Sequence, residues 1–264
     1  MRTLLICHDD APLDREGLVR WLGSFSTFAG TVVVREPASR KRQRIRREIQ
    51  RVGFWRFLDV LAFRLHYALV TARADQDWER SAVQRLRAAF PNRPAAPEVV
   101  VTSPNSDAAE RFIRDCQPDL VVARCKTLLK EQVFSIPRLG TFVMHPGICP
   151  EYRNAHGCFW ARAAGDHSNI GMTLLKIDRG VDTGPVFGYF RVTPERGESH
   201  VVTQHRVVLD HLDPIRDTLI DIGEGTATPL EIAGRRSATW GQPWLTAHLK
   251  TRLRSRAQRP VLQP

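Results

Sequence analysis

The stretch LGTFVMHPGICPEYRNAHGCFWARAAGDHSNIGMTLLKIDRGVDTGPVF, residues 139–187, decides the fold. Residues 140–144 and 171–177 are short, nearly continuous apolar runs, and a third such run follows at 185–192. Runs of this length without polar alternation suit strands of a sheet covered on both faces. The first two end in loops dense with reactive side chains. His145 to Cys158 carries two prolines and two glycines, and IDRGVDTGP, 177–185, carries two aspartates and two glycines. Open α/β sheets bind ligands in crevices beyond strand carboxyl ends, so both loops are candidate site edges.

Further strands are predicted at 119–123 (DLVVA), 98–102 (EVVVT), 31–34 (TVVV) and 3–8 (TLLICH). Helical signals lie between them, around Glu16 to Leu22 and from Asp107 to Cys116. The second opens at the capping residues Asn105 and Ser106 and closes before Pro118. Strands alternating with helices predict an α/β fold, a mostly parallel sheet flanked by helices. Residues 1–195 are expected to form a catalytic domain.

Two segments depart from that alternation. From Arg40 to about Ala74, Ile45, Ile49, Val52, Trp55, Leu58, Ala62, Leu65 and Leu69 recur at three- or four-residue spacing, which predicts an inserted amphipathic helix or pair of helices at about 40–75. Its first third, Arg40 to Arg51, holds seven Lys or Arg and one Glu. That suits contact with RNA, another acidic macromolecule or an anionic membrane surface, but a solvated face on a helix packed against the sheet is the favoured reading. The second segment, 196–264, is expected to be a helical, basic extension. It comprises a helix at 199–222, a turn at Gly223 and Gly225, a short strand or loop to Trp240, and a basic end with Lys250, Arg252, Arg254, Arg256 and Arg259. Residues 255–264 are too polar and Pro-interrupted to predict an element.

Composition bounds the function classes. In 264 residues, 42% hydrophobic and 25% charged exclude collagen-like, mucin-like and wholly disordered chains. A net charge of +11 favours phosphate-bearing or polyanionic partners through long-range steering. The apolar run before His8 is too short for a signal-peptide core. The longest apolar neighbourhood, Phe54 to Val70, is interrupted by Arg56, Asp59, Arg64 and His66. No membrane span and a cytoplasmic location are expected, with the five scattered cysteines reduced.

His145, Cys149, His156 and Cys158 admit three readings. As metal ligands, His-x3-Cys and His-x-Cys depart from the usual paired spacing. As a nucleophile, Cys149 sits between Ile148 and Pro150, an apolar context that disfavours the thiolate. Acid–base work by His145 without metal fits best, with an aspartate from the neighbouring loop favouring the charged imidazole beside a developing oxyanion.

The order His-Pro-Gly, Pro-x-Tyr-Arg, an Ala-rich helix and Asp-x-Gly-x-Asp-Thr-Gly resembles the core signature of the formyltransferases that use 10-formyltetrahydrofolate. That group includes methionyl-tRNA formyltransferase and glycinamide ribonucleotide formyltransferase. The resemblance covers about residues 98–190 well, the first strand loosely and the tail weakly. It implies a Rossmann-like formyltransferase fold, a catalytic His145 and Asp182, and 10-formyltetrahydrofolate as formyl donor. The pterin end of that donor is expected against the backbone of Arg124, Cys125, Lys126, Thr127 and Leu128 and of Asp178, Arg179, Gly180 and Val181. An amine would attack the formyl carbon, and the folate nitrogen would leave with a proton.

One departure concerns the oxyanion. The family's asparagine two positions before the histidine is Val143 here, and losing such a donor typically costs about 100- to 1000-fold in rate. Asn154 and His156, on the adjoining loop, are the expected replacements. Other departures concern the acceptor. CHDDAPL has no Gly-Ser-Asn phosphate cradle, which disfavours glycinamide ribonucleotide, and too little chain follows Arg191 for the β-barrel that methionyl-tRNA formyltransferases use on tRNA. The expected reaction is formyl transfer to a primary amine, on an aminoacyl-tRNA or a small molecule such as an amino sugar. RNA contact would come through the basic helix and tail, and a small amine would be gripped by His8, Asp9 and Asp10. A formyl hydrolase using water, or a non-catalytic folate- or RNA-binding relative, are the alternatives.

Overall fold

The computed structural model describes residues 1–257. Its strands form where branched aliphatic side chains crowd together. They are β1 (Arg2–His8), β2 (Thr27–Val34), β3 (Glu98–Val101), β4 (Leu120–Arg124), β5 (Gly140–His145), β6 (Arg153–Asn154), β7 (Gly171–Lys176), β8 (Val186–Arg191) and β9 (Thr239–Trp240). Seven make one sheet in the order β3-β2-β1-β4-β5-β7-β8, and β6 pairs with β9 in a separate two-stranded ribbon. The five strands from β3 to β5 are parallel, while β7 runs antiparallel to β5 and β8 antiparallel to β7.

The helices are α1 (Val19–Phe25), α2 (Ala38–Val52), α3 (Phe54–Val70), α4 (Ala72–Ala89), α5 (Asp107–Cys116), α6 (Glu131–Phe134), α7 (Gly157–Ala164), α8 (His200–Leu209), α9 (Leu212–Glu224) and α10 (Leu245–Ala257). A six-residue π-helix, Leu13–Leu18, leads into α1. One sheet face packs against α1, α4, α8 and α9 through Trp21, Leu22, Leu86, Val207, Ile215 and Leu219. The other packs against α5 and α6 through Ala109, Ile113 and Val133. Each large apolar side chain buried this way stabilises the fold by about 1.5–3 kcal/mol.

Several boundaries follow from single residues. Ser106 caps α5 by accepting from the Ala109 N–H, and Gln117, at φ 46°, ends it before Pro118. The helix expected at 199–222 is two, α8 and α9, because Pro214 lacks an N–H and its ring would strike the carbonyl of residue 210 in a continuous helix. Both pack on the sheet, so the chain beyond 195 completes the same core. The tail beyond Trp240 forms α10 up to Ala257; the remainder of 255–264, from residue 258, lies outside the described residues.

The insertion is a pair of helices, α2 and α3, joined at Gly53, whose φ of 80° favours glycine. A third helix, α4, follows without having been expected. Val60 and Phe63 are the side chains that α3 buries, Phe63 within a third cluster shared with α7 and α10. The stripe Trp55, Leu58, Leu65 and Leu69, expected as a packing face, stays exposed. No described helix is long and apolar enough to cross a membrane.

Candidate functional site

His145 closes β5 and is 3% exposed. Its Nε2 lies 2.8 Å from the Tyr152 carbonyl oxygen and its Nδ1 lies 3.3 Å from Asp182 Oδ2. A carbonyl only accepts, so the partner assigns Nε2 as the donor. Both ring nitrogens face acceptors, an arrangement that accommodates a proton on each. The loop closes this tightly because two glycines meet. A Cβ on Gly147 would stand 2.4 Å from the Tyr152 carbonyl oxygen and 3.0 Å from His145 Nε2, and one on Gly157 would stand 2.4 Å from the Gly147 Cα. Thr173, buried in β7, pins the loop from below: its Oγ1 donates to the Gly147 carbonyl and accepts from the Cys149 N–H.

Asp182 arrives by a longer route than the sequence suggests. Because β7 is antiparallel to β5, the loop after Lys176 leaves the sheet beside Phe142, roughly 10 Å short of His145 at the usual strand rise. It must double back along the face that carries His145, with Arg153 Nη1 donating to the Val181 carbonyl at 3.1 Å. Asp182 takes a left-handed φ of 51°, and the Asn154 N–H donates to its Oδ2 at 2.8 Å, the oxygen that also faces His145.

Asn154 therefore serves the pair through its backbone. Its side-chain amide donates to the Trp240 carbonyl, which ties it to the tail. β9 lies against β6 at this point, and Trp240 Nε1 donates to the Glu151 carbonyl at 2.9 Å. Trp240 stacks between Tyr152 and Trp160 at ring distances of 5.8 and 5.0 Å. Arg235 grips Glu151 with two nitrogens, at 2.9 and 2.7 Å. Residues 235–240 thus strap the histidine loop from outside. Nothing in the reading of the tail anticipated this; the two tryptophans of the ATWGQPW run, 238–244, were the available signal.

His156 caps the start of α7 with φ 54°. Its ring lies 5.4 Å from that of His200, and Gln204 and Gln242 are its polar neighbours. Burial, with the field of Lys126 added, pushes its pKa down to about 4. Burial also raises the Cys149 thiol, and pushes Cys158 up to about 12, so neither is a thiolate at neutral pH.

The two expected donor loops follow β4 and β7, the strands on either side of β5. In the first, Arg124 is paired with buried Asp14 at 3.1 Å and donates to the Met144 carbonyl at 3.0 Å. Burial pushes Cys125 up to about 12. The Lys126 N–H donates to His8 Nε2 at 2.9 Å, Thr127 donates to Glu36, and Leu128 is exposed. In the second, Asp178 accepts from the Gly180 N–H and the Thr183 hydroxyl, making a compact turn. Arg179 reaches across to Glu131, the first residue of α6, at 2.8 Å. Of the residues expected to grip a small amine, His8 is spent on Lys126, and Asp9 bridges Arg15 and Arg35 at 2.9 and 2.8 Å; Asp10 is exposed. A cavity of about 960 Å³ lies elsewhere, between α3, α7 and the start of α8, and neither His145 nor Asp182 lines it.

A formyl transferase family model matches residues 70–206. Among curated relatives, methionyl-tRNA formyltransferase of Bacteroides thetaiotaomicron is 32% identical over 127 residues, 45% of this chain and 39% of that protein. The Thermotoga maritima protein of the same name is 34% identical over 91 residues, 34% of this chain and 29% of that one. The matches thus span two fifths or less of these relatives. Among solved structures, a phosphoribosylglycinamide formyltransferase of Anaplasma phagocytophilum superimposes with a TM-score of 0.56 at 13% identity, covering 92% of this chain and 99% of that one. A sugar N-formyltransferase from a Shewanella species gives 0.54 at 14% identity, covering 91% and 76%. At these identities the likeness is one of fold.

Proposed function

The chain belongs to the formyl transferase family, and from that premise we propose that it moves a formyl group from 10-formyltetrahydrofolate to a primary amine. The observation that carries this reading is the buried His145 held between the Tyr152 carbonyl and the Asp182 carboxylate. The donor molecule supplies an activated carbonyl on a nitrogen leaving group. The backbone of Arg124–Leu128 and Asp178–Val181 would hold it, since these loops follow the strands on either side of β5 and present exposed Leu128 as an apolar wall for a flat ring.

In the proposed reaction the amine lone pair forms a bond to the formyl carbon and the carbonyl oxygen takes up the negative charge. His145 supplies an N–H toward that oxygen. Asp182 accepts the proton lost by the amine, directly or through the imidazole; the oxyanion then re-forms the carbonyl as the carbon–nitrogen bond to the donor breaks, and the leaving nitrogen takes up that same proton. The His145 Nε2 proton already has an acceptor here, so donation requires the Tyr152 carbonyl to share it or the 146–157 loop to shift. Val143 packs against the cluster of Cys149, Leu175 and Val186 and offers no donor, which leaves the imidazole carrying more of the charge.

The test is incubation with 10-formyltetrahydrofolate and a panel of amines, amino sugars and charged initiator tRNA included. Release of tetrahydrofolate coupled to a product heavier by one formyl group supports the reading. Release without any formylated product identifies water as the acceptor, and no release contradicts the reading.

A further inference from the structure

The amphipathic pair α2–α3 leaves its apolar face in solvent. On α3, Phe54, Leu58, Leu61, Leu65 and Leu69 follow one another at four- and three-residue steps, which sets them along one side of a helix about 25 Å long. Phe54 is 58% exposed, Leu65 60% and Leu69 76%, and Trp55, at the edge of the row, is 81% exposed. The opposite side of the same helix buries Phe63 against α7 and α10. The row is therefore a second face, in excess of what the core uses.

Its surroundings are cationic. α2, which runs into the row through Gly53, carries seven Lys or Arg between 40 and 51 and exposes Arg42, Arg46 and Arg47. α10 packs beside α3, with Asp59 accepting from the Thr246 N–H at 3.0 Å. It repeats the pattern, exposing Leu249 and Leu253 and carrying Lys250, Arg252 and Arg254.

We infer that this face docks on an anionic lipid surface, the row of Phe54 to Leu69 entering the acyl boundary and the arginines of α2 and α10 meeting the headgroup charge. Charge complementarity selects this occupant. A second copy of the chain would bring the same cations together across a shared apolar seam. A nucleic acid would satisfy the arginines and leave five large apolar side chains in water. An anionic bilayer interface takes both, with aromatic residues at its boundary. The site edge at His145 lies on other elements, so docking leaves formyl transfer between soluble reactants untouched.

Flotation of the full chain with vesicles of phosphatidylcholine containing phosphatidylglycerol, against vesicles of phosphatidylcholine alone, tests the inference. The chain should float with the first and stay behind with the second, and Trp fluorescence should shift to the blue. Leu65→Glu with Leu69→Glu should lower vesicle partitioning at least about tenfold. Both positions are exposed, so the melting temperature should hold, and it is measured alongside to show that the variant is folded. Absence of flotation overturns the inference. So does flotation that the double variant leaves intact, self-association without vesicle binding that the variant abolishes, or retention of RNA in place of vesicles.

Discussion

At the scale of single residues, the site depends on backbone groups brought within reach by missing or constrained side chains. Gly147→Ala would place a methyl 2.4 Å from the Tyr152 carbonyl oxygen, a backbone atom that cannot swing away. Formyl-transfer turnover should fall at least about tenfold as His145 loses its fixed orientation, while circular dichroism stays that of the folded chain; unchanged turnover would show the Tyr152 contact to be dispensable. Asn154 offers a sharper distinction. Its φ of 78° makes glycine the substitution without strain, and Asn154→Gly keeps the N–H that holds Asp182 while removing the amide on Trp240. Turnover should then change less than about threefold, whereas loss of a true oxyanion donor typically costs about 100- to 1000-fold. A drop of that size would place the Asn154 side chain at the reacting atoms.

At the scale of elements, the strap and the doubled-back loop position the pair. Trp240→Ala removes a stacked, half-buried indole and its Nε1–H bond to the Glu151 carbonyl. It should lower unfolding free energy in urea by about 2 kcal/mol and slow transfer, whereas an unchanged urea midpoint would mean that the strap adds nothing. The seven strands of the main sheet were legible because each holds a compact apolar run, and α5 because its cap and its terminating Pro118 bracket it. The antiparallel direction of β7 was not legible, since a buried run reads alike in either direction, and Asp182 therefore reaches His145 by a fold-back that no spacing reveals. His145 and Asp182 stood out by chemistry and resemblance. The Tyr152 carbonyl and the Asn154 N–H did not, because backbone groups carry no sequence signal. The exposed row on α3 was read as a packing face because periodicity reports that a face is apolar without reporting what covers it.

At the scale of the molecule, buried histidines make stability depend on acid. Burial pushes His156, His205 and His248 down to about 4, against an ordinary value near 6.5, so the unfolded chain binds more protons between those limits. The stability they contribute is fully present above about pH 6.5 and is lost as pH falls toward 4. Melting temperature should accordingly drop between pH 7 and pH 4.5, and a flat or rising profile would contradict neutral burial. The central claim is that Asp182 orients His145 for formyl transfer, and Asp182→Asn tests it most directly, because the amide oxygen can still accept from the Asn154 N–H and keep the loop in place. In single-turnover measurements with 10-formyltetrahydrofolate and the best amine of the panel, the variant should bind donor within about twofold of the parent chain and transfer at least about 100-fold more slowly. Transfer at the parental rate with parental donor affinity would contradict the account.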